Sequence, residues 1–131
     1  MIRLDATPRK LQIVLGGAVS TNQLPIIVSY LDNIGANYTD ASRITTGATQ
    51  STLTNNGTAV DVCSAPPIGR VREVDYISVR NSDTAVATVT IRFNDNGTNY
   101  TLVTVTMAVG DHLFYTASGG WKMISSAAVT Y

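Results

Sequence analysis

Between Ala87 and Met107, apolar and polar residues alternate so regularly that few folds remain open to the chain. Ala87, Val89, Ile91 and Phe93 alternate with Thr88, Thr90, Arg92 and Asn94, the period of two that marks a half-buried strand. Asp95-Asn96-Gly97-Thr98 follows, and Asn-Gly supplies the positive φ angles of a type I′ hairpin turn. The return run puts Val103, Val105 and Met107 on one face, whereas Tyr100 and Leu102 have the opposite parity. A bulge or a second contact surface is expected there.

Similar runs recur about every ten residues. In KLQIVL, Leu11, Ile13 and Leu15 share a face before Gly16-Gly17 ends the run. PIIVSYL (25–31) is apolar on both faces, as in a central or interface strand. Val60 and Val62 point inward ahead of Pro66-Pro67, and Ile77 and Val79 share a face ahead of the turn Asn81-Ser82-Asp83. HLFYT and WKMIS straddle Ala117-Ser118-Gly119-Gly120, so Leu113 and Tyr115 should pair with Trp121 and Met123. No window of helical length has apolar residues at spacings of three and four. The expectation is all-β: a single antiparallel β-sandwich or jelly-roll-like domain over 1–131, with 1–10 as an N-terminal arm. Segment 32–57, rich in Thr, Asn and Gly, reads as a long connection with one or two short strands, anchored by Tyr38, Ile44 and Leu53.

Nine basic and nine acidic residues cancel, which argues against a nucleic-acid partner, since that needs a basic surface. Arg70, Arg72 and Arg80 are interleaved with Glu73 and Asp75 and read as a solvated, mixed-charge strand. Charged residues are 14% of the chain, roughly half the usual share, and a weakly charged surface favours association. No stretch approaches the ~20 apolar residues of a membrane span, so no membrane partner is expected. The opening MIRLDATPRK has no apolar signal region, and Asn37, Asn56, Asn96 and Asn99 lie in Asn-x-Thr triplets that a Thr/Asn-rich composition produces by itself. The single cysteine, Cys63, sits in an apolar run and reads as a small buried hydrophobe and a sign of a reducing compartment.

Reactive side chains are scarce. There is one His (His112), one Glu (Glu73) and eight Asp, most of them beside turn residues, where a carboxylate accepts backbone N–H bonds. One His and one Cys cannot build a four-ligand zinc site, and Asn94-Asp95-Asn96-Gly97 lacks the length and closing Glu of an EF-hand. No phosphate-binding glycine loop or nucleophile elbow occurs. The expectation is no catalytic residue, no metal and no cofactor. Tyr30, Tyr38 and Tyr100 remain open between core and contact roles, and Tyr115 and Trp121 read as core.

Three stretches, SAPPIGRVREVDYISVRNSDT, VTIRFNDNGTNY and GDHLFYTASGGWKM, make the chain resemble small structural proteins of tailed bacteriophages. The likeness covers nearly everything except 32–57. It departs at the end, where SSAAVTY stands in place of a polar tail and suggests an extra strand. Many such proteins are similar to capsid decoration, or cement, proteins, which bind the outside of an assembled head and stabilise the shell. The resemblance implies a noncatalytic, homo-oligomeric virion component, assembled in the host cytoplasm. Its expected partner is the major capsid protein or another virion protein. The alternative it leaves open is a tail- or fibre-associated protein, a connector or a receptor- or glycan-binding module. Expected protein contacts are Ile2, Leu4 and Arg9 on the arm, Ile26 and Tyr30 on 25–31, Tyr38 and Ile44 on the connection, and Tyr100 and Leu102 on the hairpin.

Overall fold

The computed structural model describes residues 1–34 and 46–126. Ten strands follow one another: β1 (Ile2–Leu4), β2 (Arg9–Leu15), β3 (Pro25–Ile34), β4 (Thr46–Leu53), β5 (Val60–Cys63), β6 (Arg70–Arg80), β7 (Ala87–Asp95), β8 (Thr98–Met107), β9 (His112–Thr116) and β10 (Gly120–Ile124). They form two antiparallel sheets packed face to face, a β-sandwich. The six-stranded sheet runs β10-β9-β6-β3-β4, with β1 also on β6; the four-stranded sheet runs β5-β2-β7-β8. β3 pairs along nearly all of one edge of β6, so β1 (at 72–74) and β9 (at 76–80) lie end to end along the other.

Hairpins join β3 to β4, β7 to β8 and β9 to β10, and every other connection crosses between the sheets. The β7–β8 turn is as expected: Asp95 pairs with Thr98, and Asn96 and Gly97 both have positive φ (50° and 95°). The expected bulge is also present. Ile91 pairs with Val103 and Arg92 with Thr101, which leaves Leu102 as the extra residue. The register of β9 with β10 sets Tyr115 against Trp121 and Leu113 against Met123.

Between the sheets lies one apolar cluster that includes Leu11, Ile13, Leu15, Val28, Val62, Ile77, Val79, Val89, Ile91 and Leu113. Alternate strand residues supply it, as the period of two requires. Val103 and Val105 face it but are only half-buried, because β8 is the last strand of its sheet.

Side-chain amides and carboxylates tie down the loops at one end. The Asp83 carboxylate accepts the backbone N–H groups of Ser20, Thr21 and Asn22 at 2.7–3.0 Å. Gln23 and Asn56 bond each other's segments, and Thr54 Oγ1 accepts the N–H of Leu24. These bonds satisfy backbone donors that a crossing loop would otherwise bury unpaired.

Several expectations need correction. Residues 1–10 are no loose arm: Ile2–Leu4 pairs with Arg72–Val74, and Leu4 is completely buried. Segment 32–57 holds more strand than expected, since β3 runs on to Ile34 and β4 has eight residues. Leu53 is exposed at the end of β4 and is not a core anchor. Tyr38 and Ile44 lie outside the described residues, as does most of the terminal SSAAVTY. Arg72 is buried, where a solvated strand had been expected.

Candidate interaction surface

Groups that could do chemistry are held in structural roles. Arg72 and Asp32 form a buried bidentate pair, with Nε to Oδ1 at 2.7 Å and Nη2 to Oδ2 at 2.9 Å. Arg72 Nη1 donates to the carbonyl and hydroxyl of Ser64, and its guanidinium carbon lies 3.8 Å from the centre of the Tyr30 ring. Every guanidinium nitrogen is therefore engaged. Cys63 is fully buried, and that burial pushes its thiol up to about 11 despite the nearby Arg72. His112 stacks on Phe114; burial and the Arg80 charge lower its pKa. Asp111 accepts the N–H groups of Ala108 and Ser126. Among the described residues no three His, Cys, Asp or Glu side chains come together as metal ligands, and no helix is long and apolar enough to cross a membrane.

The outer face of the six-stranded sheet is organised differently. Strand register lines up Ser51, Ile27, Ser78 and Phe114 across β4, β3, β6 and β9. The next row is Thr49, Ser29, Tyr76 and Thr116. None of these eight residues is charged. Ile27 is 43% exposed although it lies on a central strand, and the Tyr76 and Phe114 rings are in contact at 6.2 Å between centres. Among the described residues, charge borders this strip at Asp75 beside Tyr76, Lys122 beside Phe114, Arg80 beside His112, and the pair Arg3–Glu73. Apolar and hydroxyl groups at the centre with charge at the margin are the usual anatomy of a protein–protein contact.

The residues expected to make contacts fall into three groups. Leu4 and Ile26 are buried, and their surface is taken up by the core. Ile2 is half-buried against that core, Tyr30 is half-buried beneath Arg72, and Arg9 is paired with Asp5 and Asp95. Tyr100 and Leu102 are exposed on β8, away from the outer strip. Sequence reasoning missed Ile27 and Phe114, and the tyrosines it carried forward as contacts did not include Tyr76. The two-faced run 25–31 did mark the right strand, but Ile26 and Tyr30 were favoured over Ile27 and Leu31, its exposed apolar residues. An apolar run on both faces carries no parity signal, and one residue of slip exchanges the faces.

No family model matches the chain, and no curated protein and no solved structure matches it either.

Proposed function

We propose that the protein is a noncatalytic virion structural component, a capsid decoration protein that adheres to the outer surface of an assembled head and stabilises the shell. The observation that carries this reading is the uncharged strip on the outer face of the six-stranded sheet, centred on Ile27, Tyr76 and Phe114. A flat face of hydroxyl and apolar groups adheres by shape and by removing apolar surface from water. The phage-like stretches quoted above supply the choice of a virion as the setting.

Purified protein should co-sediment with decoration-free phage heads and remain bound in 1 M salt, where charge interactions are screened over ~3 Å. Ile27→Glu should abolish co-sedimentation without unfolding the domain, because residue 27 already faces solvent. Protein that stays in the supernatant with heads but binds purified tails or host glycan would replace the cement assignment with the tail-module one.

A further inference from the structure

We propose that β8 is a self-pairing edge: two copies of the chain join β8 to β8 across a two-fold axis centred on Val105, making the two four-stranded sheets one continuous sheet. This deepens the assembly reading above by naming the seam between sister copies, and it rests on that reading only in taking the chain to act as more than one copy.

An edge strand presents backbone N–H and C=O groups that another strand can pair with, and natural edges are usually blunted by charge, proline or brevity. β8 is long, and its ten residues, TNYTLVTVTM, contain no charged side chain and no proline; its bulge at Leu102 lies outside the regular stretch Val103–Met107. The other four sheet edges differ. β1 has three residues and carries Arg3. β5 has four residues, with Asp61 held by Lys10 and Gln12. β10 has five and carries Lys122. β4 is laced to the segment after β5 by reciprocal bonds between Gln50 and Ser64. Among the described residues, no strand pairs with β8 on the side away from β7.

The side chains select a second copy as the occupant. On the outward face of the four-stranded sheet, Thr90 bonds Thr104 at 3.0 Å and Thr88 bonds Thr106 at 3.5 Å. With the two-fold at Val105, Thr104 of each copy stands opposite Thr106 of the other. Each ladder then extends to four threonines, Thr88–Thr106 of one copy continuing into Thr104–Thr90 of the next. On the inward face, Val105 meets Val105 and Val103 meets Met107. Val103 and Val105 are the half-buried part of the core face, so the second copy covers what the first leaves open. Past the paired stretch, Leu102 and Tyr100 of one copy run toward Ala108 and Val109 of the other, and all four are exposed. The Ala108 N–H donates to Asp111 Oδ2, which marks where pairing stops. No charge opposes a like charge anywhere along this seam. The paired stretch Val103–Met107 is ~17 Å long, and the exposed Leu102, Tyr100, Ala108 and Val109 at its two ends extend the contact toward the ~1,000 Å² range of specific interfaces.

Light scattering on the free protein, with no particles present, tests the seam separately from head binding. The full chain should run at twice its 13.9 kDa mass, and Thr104→Lys/Thr106→Lys should weaken the dimer roughly tenfold or more, since the like-charge pairs recur across the axis. Both positions are exposed, so circular dichroism should be unchanged. Val105→Cys should give an oxidised dimer on a non-reducing gel. The parent chain, whose only cysteine is buried, should give none. A wild-type monomer at ~100 μM, well above ordinary micromolar affinity, overturns the proposal. So does a dimer that survives the double lysine change or fails to cross-link through position 105.

Discussion

Removing one partner of the buried Arg72–Asp32 pair should be among the most damaging single changes available. The two side chains are only 6% and 9% exposed, and their bidentate geometry gives strong charge-assisted bonds. Asp32→Ala leaves the guanidinium buried with its charge uncompensated. Breaking a buried pair in this way costs about 3–5 kcal/mol, much of a typical domain's total stability. Unfolding entropy of ~2.1 cal/mol/K per residue converts that to a fall in Tm of about 11–18 °C for a chain of this length. Replacing both partners by apolar residues, Asp32→Leu with Arg72→Met, removes the stranded charge and should recover most of the loss. Ser64 loses its donor in that variant, but it lies at the surface, where water can take over. Thermal and urea unfolding followed by circular dichroism measure both variants. An Asp32→Ala variant melting within about 4 °C of the parent, a loss near 1 kcal/mol, would refute the claim that this pair is shielded from water. A double variant less stable than Asp32→Ala would refute the account of why the single change hurts.

Three further outcomes are expected. The backbone donors from Asn22, Ser20 and Thr21 lower the Asp83 carboxyl to about 2 from its ordinary 3.8. A carboxyl depressed on folding contributes stability that is fully present above its unfolded pKa and is lost as the pH falls through its folded pKa. Stability should therefore decline between about pH 4 and pH 2 through this group, and an unchanged slope in Asp83→Asn would contradict that. The Tyr115 hydroxyl is buried without a hydrogen-bond partner, so Tyr115→Phe should leave stability unchanged or raise it by ~1 kcal/mol; a loss above that size in urea titrations would show a bond the structure lacks. The Cys63 thiol should resist a disulfide reagent at pH 8 until the protein unfolds, because it is buried and raised to about 11; stoichiometric labelling of native protein within minutes would refute this.

The sequence alone determined whatever depends on neighbours along the chain. The alternation in 87–107 specified β7 and the core face of β8, and Asn96-Gly97 specified their turn, because side-chain parity and positive φ are local properties. The parity break at Tyr100 and Leu102 marked the bulge in the same way, and Leu113 and Tyr115 could be matched to Trp121 and Met123 across four turn residues. Leu4 shows where this ends. Three residues of strand give too little pattern to distinguish an arm from an edge, and only the partner strand β6 decides. Arg72 looked like one charge among several until the fold brought Asp32 to it from 40 positions away. The outer strip has the same origin. Ser51, Ile27, Ser78 and Phe114 belong to four different strands, and nothing in any one segment says that they share a row. Which face of an all-apolar strand meets solvent depends on where the second sheet packs, and that is a property of the assembled sandwich.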